Sequence, residues 1–212
     1  MQSNWTIPGT TLEGIRSNAD KTEGLFQSLF LAGGLTLSQV ARITGLENHT
    51  IQNWVKRGFL PPPQNKHYNM EQVCRIININ ILRGNMPLEQ IVKLMGYLNG
   101  NLADESDDLV DDSMLFFMFV SLAARARYIG GSEKWEDALQ QVTEGYAEPV
   151  PGAREKLIKV LEVMLTTWIA NLLKARADHM IEQMKRRKAI WKIMKPITGR
   201  PTTREETEKS RH

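Results

Sequence analysis

The residues with most to offer chemically lie between a glycine and three prolines, in TGLENHTIQNWVKRGFLPPPQNKHY at 44–68. On a short helix over 48–57, Asn48, His49, Gln52, Asn53, Lys56 and Arg57 would share the solvent side while Ile51, Trp54 and Val55 turn inward. Amide side chains can pair two-pronged with the adenine edge in a DNA major groove, and Lys or Arg reaches guanine or phosphate. A helix N-terminus also suits phosphate. Lys66, His67 and Tyr68 follow in a polar loop behind Pro61-Pro62-Pro63 and could lie beside a duplex. The plain competing reading of all these side chains is a solvated helix face.

No other grouping carries chemistry. The four histidines lack the HExxH spacing, and neither GxSxG nor a glycine-rich phosphate loop occurs. Asp178 and His179 are adjacent on a helix rather than facing. No catalytic residues, metal ligands or cofactors are expected, and the C-terminal half is not expected to be an enzyme. The run Asp104, Glu105, Asp107, Asp108, Asp111, Asp112 lacks the Gly and terminal Glu of a calcium loop; it reads as a solvated linker leading into a helix whose N-terminus favours acids. Cys74, the single cysteine, sits among apolar residues and reads as core. Lys185-Arg186-Arg187-Lys188, with Lys192 and Lys195, reads as a solvated helix end, with a second contact to an anionic backbone as its rival.

The elements that must hold the first group are legible from periodicity and punctuation. Residues 1–21 read as an irregular arm, followed by a helix at 22–32 stopped by Gly33-Gly34. Thr36-x-x-Gln39 is a capping-box pattern opening a helix over 37–44, which Gly45 ends. The helix over 48–57 closes at Gly58. Residues 69–83 alternate like a strand at Ile77–Ile81 but also carry a helical stripe, and their length and Asn start favour helix. Pro87 opens a further helix, with Gly96 at its end.

Two short helices around a tight glycine turn form a helix-turn-helix pattern. The segment LTLSQVARITGLENHTIQNWVKRGFLPPP resembles the start of the MerR-type winged helix-turn-helix, in which a Thr-initiated helix, a Gly turn, a second helix with an inner Thr (here Thr50), a Gly, two apolar residues and prolines follow one another. Tyr68 falls where that pattern has a wing tyrosine, and MPLEQIVKLM resembles its last helix. The chain is most similar in character to an uncharacterised bacterial family of MerR-like proteins. The resemblance spans about residues 35–98 and implies DNA contact by Asn48, His49, Thr50, Gln52, Asn53, Lys56, Arg57, Lys66, His67 and Tyr68. It departs from the pattern where His49 and Gln52 replace two arginines and Asn53-Trp54 replaces an aromatic pair. No cysteine set for metal sensing follows.

Beyond 99, a very apolar helix is expected at 113–128 and an amphipathic one at 133–145, then a proline-free pattern from 152 to 195, about 65 Å long as one helix. Its second half places Leu173, Ala177, Met180, Met184, Arg187, Trp191 and Met194 at alternating spacings of four and three, a heptad seam with one Arg in it. From Lys174 onward there are twelve Lys/Arg against five Asp/Glu, although the 212-residue chain as a whole is only +3. The longest apolar run, MLFFMFV at 114–120, is too short to span a bilayer. The N-terminus lacks an apolar signal region, and one cysteine fits a reducing compartment.

The sequence therefore predicts a cytoplasmic all-α protein. It has an arm and short helix at 1–34, a MerR-like winged helix-turn-helix at 35–98, a C-terminal helical bundle with one long helix at 99–195, and a disordered polar tail at 196–212. The expected function is sequence-specific binding of double-stranded DNA as a transcriptional regulator. The expected form is a homodimer joined by Leu173, Ala177, Met180, Met184, Trp191 and Met194, with room for an unidentified small-molecule effector. The alternative is a protein-interaction or scaffold module that keeps the helix-turn-helix shape without binding DNA.

Overall fold

The computed structural model describes residues 4–100, 108–126 and 133–194, with side chains at 5–100, 108–126 and 135–187. The fold is all-α, with two minimal β pairings among the described residues. β1 (Asn4–Thr6) and β2 (Glu13–Ile15) form an antiparallel hairpin, followed by a 3-10 segment at Arg16–Lys21. Residues 4–21 of the expected irregular arm are thus ordered. Ile7 is buried, and Thr10 closes the connecting loop by donating to the Ile7 carbonyl and accepting from the Leu12 N–H.

α1 spans Thr22–Phe30. β3 (Leu35–Thr36) leads directly into α2 (Leu37–Thr44). The Gln39 side-chain oxygen accepts from the Thr36 N–H and hydroxyl, each at 2.8 Å. Gly45 ends α2 in the left-handed region, φ 68°. α3 spans Asn48–Lys56. Its end is a Schellman arrangement: the Phe59 N–H bonds the Trp54 carbonyl and the Gly58 N–H bonds that of Val55.

α4 (Met70–Leu82) is helical, and Asn69 caps it reciprocally with Gln72. The alternation at Ile77–Ile81 misleads because α4 is the central helix, with almost every side chain buried. α5 spans Leu88–Asn99 and runs through Gly96 rather than stopping there. Asn99 is buried and exchanges hydrogen bonds with the Val110 main chain, so a polar residue at the helix end is held by tertiary contact.

α6 is Asp112–Arg125, α7 is Glu133–Val142 and α8 is Ala153–Met194. α6 ends at Arg125, short of the expected 128, because Ala126 already leaves the helix with ψ 76°. Residues 127 and 128, three of the six acidic residues (Asp104, Glu105 and Asp107) and the tail at 196–212 lie outside the described residues. The compact unit runs from Met1 to Asn171, and a second begins at Leu172, inside α8. The division by contact therefore falls there rather than at the composition change near residue 99. In the first unit, Phe26, Phe116 and Phe117 cluster with ring centroids 5.1–5.7 Å apart. Leu157, Val160, Leu161, Met164 and Leu165 bury the first half of α8. In the second, every described side chain from Leu172 to Arg187 is exposed.

The acidic segment corrects an expectation. Asp112 is not a solvated linker residue: its side chain is 4% exposed and lies 2.5 Å from the Arg75 guanidinium, itself 5% exposed. Asp108 is buried 4.0 Å from the same guanidinium. Burial pushes the Asp112 carboxyl above its ordinary range, opposed by the Arg75 charge and by hydrogen bonds from Arg75 and Asn78. A charge removed from water this completely is held only with a partner.

Candidate functional site

Two short helices and a hairpin turn assemble the candidate surface. α3 divides by its period: Ile51 and Trp54 are buried, while Asn48, His49, Gln52, Asn53, Lys56 and Arg57 are exposed and Thr50 is half-buried. The structure thus brings the helix residues singled out by sequence onto one solvent-facing side. The shallow groove between α2 and α3 is bordered by Arg42, Glu47, Asn48, His49 and Gln52.

The hairpin is compact for a physical reason. Asn65 and Lys66 both adopt positive φ, 49° and 66°, and the His67 N–H bonds the Gln64 carbonyl at 2.8 Å. Two successive left-handed residues make a primed two-residue turn, whose twist matches the flanking strands. β4 (His67–Tyr68) pairs antiparallel with β3, Leu35 opposite Tyr68 and Thr36 opposite His67. Gly34, φ 103°, permits this pairing: a Cβ there would stand 2.9 Å from the Tyr68 carbonyl oxygen. Pro62 is tied down from α4, its carbonyl accepting from Gln72 at 3.1 Å.

Lys66 stands exposed at the turn, with His67 beside it. Tyr68 does not join them. It is 3% exposed and its ring lies in the core, where burial raises its phenol pKa. Adjacent strand residues point to opposite faces, so an outward His67 sends Tyr68 inward. Tyr68 therefore anchors the hairpin instead of offering a contact.

Electrostatics around α3 are mixed. Arg57 pairs with Glu89 of α5 at 2.9 Å and lies 4.6 Å over the Phe59 ring. Glu89 is correspondingly held below the usual carboxylate range, through the backbone at its helix start and then through Arg57. Glu47 occupies the cap position of α3 and is exposed. The pairing of Arg57 with Glu89 was invisible in the sequence, because Glu89 lies thirty-two residues away.

The heptad residues Leu173, Ala177, Met180 and Met184 are exposed on α8; the side chains of Trp191 and Met194 lie outside the described residues. Lys185 and Arg187 are exposed, with Lys185 3.3 Å from Glu182. Elsewhere in the first unit, Asp20, Glu23, Met114, Phe117 and Arg125 line an open cleft. Cys74 is buried, and burial raises its thiol pKa far above the ordinary value. Among the described residues there is no cluster of three or more His, Cys, Asp or Glu able to hold a metal, and no helix long and apolar enough to cross a membrane.

Residues 34–115 are similar to a family described as a domain of unknown function, DUF1836. The matched span runs from the glycine before β3 to Leu115 in α6. It takes in α2, α3, the hairpin turn and the buried Arg75–Asp112 pair, and leaves β1 and β2 outside. No curated protein and no solved structure matches the chain.

Proposed function

We propose that the protein is a sequence-specific DNA-binding transcriptional regulator, acting in the cytoplasm through a MerR-like winged helix-turn-helix over residues 35–98. In this reading α3 enters the major groove, where Gln52, Asn53, Asn48 and His49 meet base edges. Lys56, Arg57 and the Lys66 turn meet phosphate. The observation that carries the proposal is the shared exposure of this amide-rich and basic set around a buried Ile51–Trp54 floor, next to a hairpin with a lysine at its apex. Two copies would read a two-fold site, paired through the exposed α8 residues and Trp191 and Met194. The open cleft beside α6 is where a small-molecule effector would enter.

The test is binding to genomic fragments across a salt series. Three cations per reading head would release about three counterions, so affinity should fall roughly fortyfold per head between about 50 and about 200 mM salt. An affinity indifferent to salt would sink the proposal.

A second reading, a protein-interaction module without DNA binding, is favoured by one feature. Glu47 and Glu89 put carboxylates at the start of α3 and against Arg57, where phosphates would otherwise lie. Retarded mobility with no fragment at any salt would select it.

A further inference from the structure

The last turn of a helix leaves carbonyls without intrahelical partners. At the end of α2, which faces the turn into α3, they are met by residues from two distant parts of the chain. The Thr11 hydroxyl donates to the Arg42 carbonyl at 2.7 Å and to that of Ile43 at 3.1 Å, and the Thr11 N–H donates to Ile43 at 2.7 Å. The Asn80 amide of α4 donates to the Thr44 carbonyl and to the Gly9 carbonyl, both at 2.9 Å. The Thr11 methyl also lies against Gly45, where a Cβ would approach it to 3.1 Å.

The loop that delivers Thr11 is itself seated on α4. Gly9, φ 71°, lies so close that a Cβ would stand 2.9 Å from the Ile77 carbonyl oxygen and 2.7 Å from Ile81. Ile7 is buried beneath it. A segment outside the matched family span therefore holds three consecutive carbonyls at the pivot between α2 and α3, jointly with Asn80.

We propose that Thr11 is a positioning residue for α3: with Gly9 and Asn80 it fixes the α2–α3 turn and so the direction in which Gln52 and Asn53 are aimed. This rests on the DNA-reading proposal. Two-pronged pairing with a base tolerates little misorientation, whereas a phosphate contact made by a flexible lysine tolerates much. Loosening the turn should cost discrimination between sequences before it costs affinity for DNA in general.

The experiment uses the full chain. Thr11→Val removes the hydroxyl and keeps shape and backbone N–H; Thr11→Ser restores the hydroxyl; Gly9→Ala pushes the loop off α4. Thr11→Val should lower the affinity ratio of selected over random DNA about threefold to tenfold, leave the salt slope unchanged, and speed amide exchange at Leu46, Thr50 and Ile51. Thr11→Ser should behave as the wild type. Gly9→Ala should reproduce Thr11→Val, and if it fails to fold, the threonine pair carries the test. A lower melting temperature with the ratio unchanged would make Thr11 merely structural and overturn the proposal. If the wild-type chain shows no DNA preference, the reading of α3 fails on its own. The exchange measurement needs no DNA, and unaltered exchange in Thr11→Val would overturn the clamp separately.

Discussion

Gln52, Asn53 and Lys56 occupy successive places on the exposed side of α3, yet their chemistry assigns them different work. An amide matches a particular base edge in two places, and a lysine serves any phosphate. Gln52→Ala and Asn53→Ala should therefore flatten base preference, with each true base contact worth about 1–3 kcal/mol. Lys56→Ala should weaken all sequences about equally and reduce the salt slope by about one. Binding to a randomised library measures both at once; three identical profiles would contradict the assignment. The α3 side chains were legible from spacing, because a 3.6-residue period separates Ile51 and Trp54 from Gln52 and Asn53 without reference to the rest of the fold. Tyr68 was not, since its direction depends on a two-residue strand whose pairing partner lies at Leu35.

At the scale of elements, α4 connects the groups described above. Its polar residues face three ways: Gln72 holds the Pro62 carbonyl, Arg75 and Asn78 hold Asp112, and Asn80 holds Thr44 and Gly9. An amphipathic stripe accounts for none of these, because a helix buried on several sides must satisfy each polar side chain individually. Replacing Asp112 by Asn leaves the Arg75 charge buried with Asp108 as the remaining nearby carboxylate. Such a change should cost about 3 kcal/mol in chemical denaturation. Replacing the cluster together, Arg75→Met with Asp108→Asn and Asp112→Leu, should cost far less, because Asp108 also lies buried beside Arg75 and only the combined change leaves none of these three charges behind. Equal losses in the single and combined variants would show that the helix contact, and not the charge, sets the stability.

For the molecule as a whole, the change in character within α8 matters most. Up to Asn171 the helix belongs to the compact unit and Leu157 to Leu165 bury apolar surface; from Leu172 its described side chains are exposed, Leu173, Met180, Ile181 and Met184 among them. Large apolar side chains recurring along an exposed helix suit a partner helix better than water. Truncation after Lys174 should abolish the proposed dimer in light scattering and sharply reduce DNA affinity, since one reading head loses its twin. The first unit should remain folded, which circular dichroism would report. A full-length chain that is monomeric at tens of micromolar, or a truncated one that stays dimeric, would remove the seam from the account.

Local rules settled what is local in this protein: the helical class, the capped start of α2, the Gly45 turn, the Gly58 stop and the inner and outer sides of α3 all follow from residue type and period. The tertiary structure decided what depends on neighbours distant in sequence. Residues 4–15 read as irregular because their order comes from Ile7 and Gly9 seating on α4 and from Thr11 meeting α2. Asp112 reads as solvated because its partner Arg75 lies thirty-seven residues earlier. Gly96 reads as a stop because only packing, and the bonds of Asn99 to Val110, carry α5 past it. For residues 4–15 and Gly96, burial and hydrogen-bond satisfaction outweighed a local preference worth about 1 kcal/mol or less; for Asp112 the Arg75 charge offsets a desolvation cost of several kcal/mol.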